Sequence, residues 1–170
     1  MKEVDIKTLA LDPIQLIGGD WMLLTAGTQE RGWNTMTCSW GHLGTIWGSN
    51  HGMPTSVCYV RPQRYTKQFI DRAEIYTLSF FDGRKKELAY LGSHSGRDGD
   101  KVAAAGLTPV FDGECTYFAE AKLVLVCRKL YQAPLTEAGF VHSETVEENY
   151  PDRDFHDMYI GQIVRVLTAD

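Results

Sequence analysis

The sequence lacks the spacings that mark a metal centre or a redox dithiol. Its four cysteines, Cys38, Cys58, Cys115 and Cys127, are widely separated and form no CxxC pair. The histidines likewise show no ligand spacing for a metal ion. We therefore predict buried free thiols and no metal, and any electron transfer would require a bound cofactor.

Positive charge is also scarce. The chain carries 17 Lys and Arg against 22 Asp and Glu, which gives a net charge of -5 at pH 7. A general nucleic-acid surface needs clustered Lys and Arg, so this composition argues against nucleic acid as a partner. Any phosphate recognised by this chain should be small and local.

Long apolar runs are missing too. No stretch approaches the roughly 18 apolar residues of a membrane span. The first five residues, Met1–Asp5, are charged and lack the apolar core of a secretory signal. We expect a cytoplasmic protein with no membrane partner.

What is present is an ordinary globular composition, with 44% hydrophobic and 23% charged residues in 170. No repeat divides the chain, and no linker rich in Pro, Gly or Ser interrupts it. We therefore expect one domain over residues 1–170.

Strand-like runs rich in β-branched and aromatic residues dominate the pattern. They are Trp21–Ala26, Asn34–Trp40, Ser56–Val60, Ile75–Phe81, Cys115–Ala119, Lys122–Tyr131 and Met158–Leu167. The run Leu123–Cys127 is apolar on both alternate faces, which predicts a central strand. In the last strand, simple alternation predicts that one face carries the side chains of Ile160, Gln162, Val164 and Val166.

Helical signals are fewer and shorter. They predict a helix over Thr66–Asp71, a second over Arg84–Leu91 ended by Gly92, and a third over Asp100–Ala105. No GxGxxG follows a first strand, and the helices are too few to cover both faces of a parallel sheet. The pattern favours a mainly β fold, a closed or partly closed antiparallel barrel with a few short helices.

One candidate ligand site is the strand-like segment Gly32–Gly41. Alternation places the hydroxyls of Thr35, Thr37 and Ser39 on one face and bulkier groups on the other. A planar heterocycle needs flat apolar walls and a few fixed donors and acceptors, which such a strand can supply. A half-exposed strand rich in Thr explains the pattern equally well.

A second candidate is Tyr59–Lys67, at a transition from strand to helix. The start of a helix favours an anion, and Arg61, Arg64 and the Thr66 hydroxyl could add charge and hydrogen bonds. The alternative is a solvated helix start at which Thr66 is simply the cap.

A third candidate is the glycine-rich segment Leu91–Lys101, whose backbone can approach a ligand closely. It could instead be a plain connection between two helices.

His156 precedes the last strand between Asp154 and Asp157, which predicts a raised pKa and an imidazolium. The alternative for His156 is a surface histidine paired with a neighbouring aspartate.

Taken in order, these segments resemble the flavin reductase-like domain family, which has the FMN-binding split β-barrel fold, and within it the flavoredoxin-like branch. The resemblance lies in NTMTCSW at Asn34–Trp40, YVRPQRYT at Tyr59–Thr66, LGSHSGRDGDK at Leu91–Lys101, GLTP at Gly106–Pro109 and HDMYIGQIV at His156–Val164.

The resemblance implies a role for each matching position. One group would lie along the flavin: Asn34, Met36, Thr37 and Ser39, with Trp40 supporting the pocket. A second group would surround the ribityl phosphate: Arg61, Arg64, Tyr65 and Thr66. A third group would close over the cofactor: Ser95, Gly96 and Lys101. His156 would approach the place of a nicotinamide or a partner.

The resemblance also implies a homodimer and an activity, in which NAD(P)H reduces FMN and the flavin passes electrons to an acceptor. One alternative is an FMN electron-transfer protein that a redox protein partner reduces without NAD(P)H. Another is a barrel that binds a ligand without turnover.

Overall fold

The computed structural model describes residues 1–50 and 52–169, and the description below covers these residues only. The strands are β1 (Lys2–Glu3), β2 (Met22–Thr28), β3 (Gly32–Cys38), β4 (Gly41–Ile46), β5 (Met53–Val60), β6 (Ile75–Phe80), β7 (Pro109–Asp112), β8 (Cys115–Phe118), β9 (Leu123–Pro134) and β10 (Asp157–Thr168). The α-helices are α1 (Lys67–Arg72), α2 (Lys85–Ser93), α3 (Lys101–Ala104) and α4 (Ser143–Asn149). Short helical turns occur at Ile6–Thr8, Ile14–Gly19 and Glu137–Gly139.

Eight strands form one antiparallel sheet in the order β3-β2-β6-β9-β10-β5-β4, with β1 added on β10. Strands β7 and β8 form a separate hairpin. The predicted mainly β, antiparallel architecture with short helices is confirmed. Strand β9 pairs with both β6 and β10, so the run Leu123–Cys127 is central, as its two apolar faces predict.

Two apolar clusters lie on opposite faces of this sheet. One fills the inside of the barrel and includes Leu24, Tyr76 and Leu125. The other lies beneath α2 and the β7-β8 hairpin and includes Leu88 and Phe118. All four cysteines are buried free thiols, as predicted.

The last strand does not keep the simple alternation that its sequence predicts. Irregularities between Ile160 and Gly161 and between Ile163 and Arg165 shift the register against β9. Ile160 and Val166 are buried, whereas Val164 is exposed, so the predicted face is wrong. At the first irregularity, a Cβ on Gly161 would lie 2.3 Å from the Tyr76 hydroxyl, which leaves room only for glycine.

The seven predicted strands are present, with ends that differ by no more than three residues. Strand β4 is not predicted from the sequence, because Gly41 and Gly44 interrupt its apolar pattern. Helix α2 runs through Gly92 to Ser93 instead of ending at that glycine. The loop within the third motif is therefore shorter than the sequence indicates, because it begins at His94 and ends where α3 begins.

Residues 135–156 connect β9 to β10 and are here called the cap segment. It contains α4 and a cluster of aromatic rings, Phe140, Tyr150 and Phe155. In the part of the chain that the structure describes, no helix combines the length and the apolar character needed to cross a membrane.

Candidate functional site

The three motif segments meet in space. The Asn34 amide on β3 donates a hydrogen bond of 2.8 Å to the Thr66 hydroxyl at the start of α1, and both side chains are buried. The loop after α2 packs on Asn34 and on Tyr65, the residue before Thr66, since a Cβ on Gly96 would lie 2.3 Å from the Asn34 amide oxygen and 3.2 Å from the Tyr65 ring. Only a residue without a side chain allows the loop to come this close.

Thr66 does not cap α1 with its side chain, contrary to the sequence-based expectation. Its own backbone is already helical, and no side-chain cap is formed there. The hydroxyl is oriented toward Asn34 instead, while the Thr66 carbonyl accepts hydrogen bonds from the amides of Phe69 and Ile70. Thr66 therefore joins α1 to β3.

Arg64 and Lys101 converge on the backbone that surrounds the third motif. Arg64 donates to the Gly92 carbonyl at 3.0 Å. The buried Lys101 ammonium donates to the carbonyls of Leu91 at 2.9 Å and His94 at 3.0 Å. An ammonium has three donors and a guanidinium has five, so both groups keep N–H donors beyond these contacts.

Burial, followed by the charge of nearby Arg64, lowers the pKa of Lys101 from 10.5 to about 8. Lys101 is therefore mostly protonated at pH 7 and can contribute a positive charge. It lines a small cavity of about 310 Å³, here called the polar niche, together with Trp33, Asn34, Gly96, Gly99, Asp100 and Val102.

The loop that borders the polar niche is held by local contacts. The Ser95 hydroxyl accepts a hydrogen bond from the Arg97 amide at 3.2 Å. The Arg97 guanidinium lies 4.5 Å from the centre of the Tyr65 ring, a cation-π contact. Tyr65 and Ser95 therefore shape the niche by positioning its loop.

Alternation along β3 separates the side chains that follow Asn34. The Met36 side chain lies in the barrel core and is 7% exposed. The Thr37 hydroxyl points the other way and donates to the Leu88 carbonyl in α2. Beyond β3, Ser39 and Trp40 turn into a second cavity. A ligand lying along this strand would therefore meet the backbone at Met36 and Thr37 and the side chains at either end.

This second cavity, here called the aromatic cavity, has a volume of about 530 Å³. Its apolar walls come from Ile17, Trp40, Leu43, Tyr59, Leu135 and Tyr150. Ser39 and His42 add polar groups, and among the described residues no Lys, Arg, Asp or Glu lines it. Leu135 and Tyr150 belong to the cap segment, which therefore forms part of the wall.

His156 is buried behind these aromatic rings. Its ring centre lies 5.0 Å from that of Trp40, and its Nδ1 lies 2.9 Å from the Tyr150 hydroxyl. Burial, together with the charge of Arg61, lowers the pKa of His156 to about 4.

The predicted imidazolium at His156 is thus wrong, because desolvation outweighs the attraction of Asp154. The other neighbouring carboxylate, Asp157, is directed away and pairs with Lys67 at 2.7 Å. His156 is a neutral imidazole at pH 7.

Arg61 contacts the cap segment. Its guanidinium forms an ion pair with Asp154, donates to the Asn149 carbonyl at 2.9 Å and lies 5.3 Å from the centre of the Tyr150 ring. Tyr150 has no motif around it, and the one sequence signal for it is the aromatic density of residues 140–155.

The sequence matches no protein-family model, and a comparison with curated proteins gave no match. Solved structures, in contrast, match its fold over almost the whole chain. The flavoredoxin of Desulfovibrio vulgaris (Miyazaki F) has a TM-score of 0.65 at 20% identity, covering 100% of this chain and 77% of that one. Nitrilotriacetate monooxygenase component B from Bacillus cereus has a TM-score of 0.66 at 15% identity, covering 100% and 82%.

A third similar structure is the Streptomyces globisporus C-1027 NADH:FAD oxidoreductase SgcE6, in complex with NAD and FAD fragments. Its TM-score is 0.61 at 14% identity, and the match covers 88% of this chain and 74% of that one. At these identities the likeness defines the fold and leaves the chemistry open. The chain has the fold of the FMN-binding, flavin reductase-like split-barrel proteins and flavoredoxins, the family its motifs resemble.

Proposed function

We propose that this protein is an FMN-dependent oxidoreductase that takes electrons from NAD(P)H and passes them to an acceptor. The observation that carries the proposal is the meeting of Asn34, Thr66 and Gly96 beside two cationic groups, Arg64 and Lys101. The solved structures named above support it, since they include a flavoredoxin and an NADH:FAD oxidoreductase.

The residues present fit FMN. A flavin needs an apolar surface for its ring and donors for its phosphate. Strand β3 connects the two, because Asn34 lies at the polar niche and Trp40 follows the strand at the aromatic cavity. Gly96 lets the loop backbone pack closely on Asn34 at the polar niche, and the remaining N–H donors of Arg64 and Lys101 suit a phosphate or a ring carbonyl.

FMN, when bound, would supply the redox chemistry by accepting a hydride and releasing electrons. The protein's own residues would bind and orient it. The buried Lys101 charge would stabilise negative charge on the cofactor, because such a charge acts strongly where water is excluded, and the exposed Arg64 would add to it. His156, neutral and held by Tyr150, would border the place where the donor or acceptor binds, without serving as a cationic acid at pH 7.

A homodimer and a cytoplasmic location are part of the proposal. Large apolar side chains at the end of the edge strand β4 favour association, since Ile46 and Trp47 are 42% and 49% exposed. Sedimentation equilibrium of the purified protein tests the dimer, and a monomer at micromolar concentration would contradict it.

The absorption spectrum of freshly purified protein tests the cofactor. A flavin band, or one that develops when FMN is added and excess is removed, is the expected result. Protein that stays colourless after FMN addition would contradict the proposal.

Anaerobic addition of NADH or NADPH then tests the electron donor. Bleaching of the flavin band is expected for at least one of the two nucleotides. A band that persists with both, yet bleaches on addition of a reduced redox protein, would favour the electron-transfer alternative.

A further inference from the structure

A third cavity lies between the β2-β3 turn and the end of α1, and it is here called the hairpin cavity. Its volume is about 170 Å³, and the apolar part of its lining includes Phe69 and Ile75. Arg31, Arg72 and Glu114 also line it, and all three are exposed. Among the described residues it shares none with the polar niche or the aromatic cavity, so it lies outside the candidate cofactor site.

Arg72 brings a positive charge to this cavity, and within residues 1–50 and 52–169 it forms no ion pair with a carboxylate. Its Nε donates to the Gln68 carbonyl at 2.8 Å, and its guanidinium carbon lies 5.5 Å from the centre of the Phe69 ring. The preceding residue, Asp71, is paired with Lys67 at 2.8 Å. The two terminal nitrogens of Arg72 therefore keep their N–H donors for a ligand.

The charges that line the hairpin cavity favour an anion. Arg31 and Glu114 form an ion pair at 2.7 Å and so neutralise each other, which leaves the charge of Arg72. A cation beside an apolar lining suits an anion with an apolar body, because the anion gains a charge-assisted pair while the body leaves water. A carboxylate matches the terminal edge of a guanidinium, which can donate two parallel hydrogen bonds to it.

The volume of the hairpin cavity limits the size of that apolar body. An engineered cavity of about 150 Å³ in another protein binds benzene. The hairpin cavity, at about 170 Å³, therefore has room for one six-membered ring and not for two. A flat ring also suits the lining, since aromatic pairs gain energy beyond the area they bury and Phe69 offers a ring to pack against.

We propose that the hairpin cavity is a second binding site of this protein, for a small carboxylate whose apolar body has about the volume of one ring. The body would pack on Phe69 and Ile75, and the carboxylate would accept two hydrogen bonds from the terminal nitrogens of Arg72. This inference does not depend on the proposed function, because it rests on residues outside the candidate cofactor site.

Three matched probes test the site in NMR titrations of the nitrogen-15-labelled protein at pH 7. They are benzoate, benzamide, which has the same ring without the charge, and 2-naphthoate, which has the charge and a second ring. We expect benzoate to bind about fivefold more tightly than benzamide, the upper value of an exposed ion pair, and at least about fivefold more tightly than 2-naphthoate, whose second ring stays outside.

The same spectra locate the probe. The backbone amide signals that move with benzoate should belong to residues 27–32 and 69–75, which border the hairpin cavity. Equal affinities for benzoate and benzamide, equal or tighter binding of 2-naphthoate, or shifts confined to other segments would overturn the inference.

Two variants with opposite effects identify the charges that bind the carboxylate. Arg72→Gln should reduce the preference for benzoate over benzamide to less than about twofold, and benzamide binding reports that the cavity itself is intact. Glu114→Gln should raise the preference above the native value, because it removes a negative charge and releases Arg31 from its ion pair.

The matched control is Arg128→Gln on β9, where the native arginine is exposed and does not line the hairpin cavity. This control should keep the native preference for benzoate. A preference that survives Arg72→Gln, that falls equally in Arg128→Gln, or that falls in Glu114→Gln would overturn the assignment of Arg72 as the partner of the carboxylate.

Titrations with and without FMN separate this inference from the proposed function. The dissociation constant of benzoate should agree within about twofold between the FMN-loaded and the flavin-free protein, because the two sites share no lining residue. If FMN displaces benzoate, the hairpin cavity is part of the cofactor site, and the inference fails while the proposed function stands. If the protein takes up no FMN, the proposed function fails, and the benzoate titrations still decide the inference.

Discussion

The Asn34 amide nitrogen lies 2.8 Å from the Thr66 hydroxyl, and the two side chains are 8% and 1% exposed. This contact joins β3 to the start of α1, and the Gly96 loop packs beside it on Asn34 and Tyr65. Since a buried donor without a partner is costly, the pair fixes the relative position of two elements that carry the candidate cofactor site.

Thr66→Val should lower the free energy of unfolding by about 1–3 kcal/mol, because it leaves the Asn34 amide buried without an acceptor at almost unchanged volume. Urea denaturation measures this. Thr66→Ser retains the hydroxyl and should cost less than about 1 kcal/mol. Equal losses in both variants would mean that the methyl group, and not the hydrogen bond, is what matters at this position.

Gly96→Ala should displace the loop, since the added Cβ would lie 2.3 Å from the Asn34 amide oxygen. We expect FMN affinity to fall at least about tenfold, the cost of a misplaced donor group. Gly44→Ala on β4 is the control, because a Cβ there meets nothing within 4 Å. Fluorescence titration with FMN measures both, and native affinity in Gly96→Ala would show that the loop does not contact the cofactor.

Arg61 and Arg64 should differ in effect, although the motif gives them the same role. Arg64→Ala should weaken FMN binding by roughly 1.5–3 kcal/mol, the value of a charge-assisted hydrogen bond. Arg61→Ala should instead lower stability by about 0.5–1.5 kcal/mol, because it leaves the Asn149 carbonyl without its donor, while Asp154 keeps its hydrogen bond from Gln63. FMN titrations and thermal melts of the two variants, compared side by side, test this. Similar FMN affinities in the two variants would show that the two arginines do not differ in their role in cofactor binding.

The sequence predicts the barrel well, because its central strands have strong patterns. Strand β9 is apolar on both faces in the run Leu123–Cys127, a pattern typical of a strand that is covered on both sides, as it is here. The face of β10 could not be predicted, since its register depends on irregularities between particular residue pairs that no periodicity records. Strand β4 could not be predicted either, because its glycines interrupt the apolar pattern.

The candidate site was predictable as a set of motifs but not as a set of contacts. The three segments do meet, yet Thr66 bonds Asn34 instead of capping α1, and Arg61 holds the cap segment. For His156, sequence neighbours suggest a charged ring, whereas burial between elements far apart in the chain decides the outcome. Such effects arise from tertiary packing, and one sequence does not reveal them.

FMN binding should weaken as the pH rises through and above 8, because the pKa of Lys101 is about 8 in the folded protein and its charge is then lost. The phosphate of FMN does not change its charge in this range, since its second pKa is near 6. Lys101→Met should bind more weakly at pH 7, by roughly 1.5–3 kcal/mol, and should show no such decline. Dissociation constants measured between pH 7 and 10 test this, and parallel curves for the two proteins would contradict it.

Acid should destabilise the native protein more than a variant without the imidazole. The pKa of His156 is about 4 in the folded protein and 6.5 in the unfolded chain, so between these values the unfolded chain binds more protons. Stability from this residue is therefore complete above pH 6.5 and is lost as the pH falls toward 4. Between pH 7 and 4.5 the loss should be on the order of 2 kcal/mol.

His156→Asn removes this titration and leaves the other titratable side chains unchanged, so the difference in unfolding free energy between the two proteins isolates the histidine. Between pH 7 and pH 4.5 we expect the native protein to lose on the order of 2 kcal/mol more unfolding free energy than the variant. Urea denaturation of both proteins at the two pH values measures this. The Tyr150 hydroxyl loses its 2.9 Å contact with Nδ1 in the variant, but that loss is the same at each pH and cancels. A difference that stays constant, or that moves in favour of the native protein, would show that His156 is charged in the folded state.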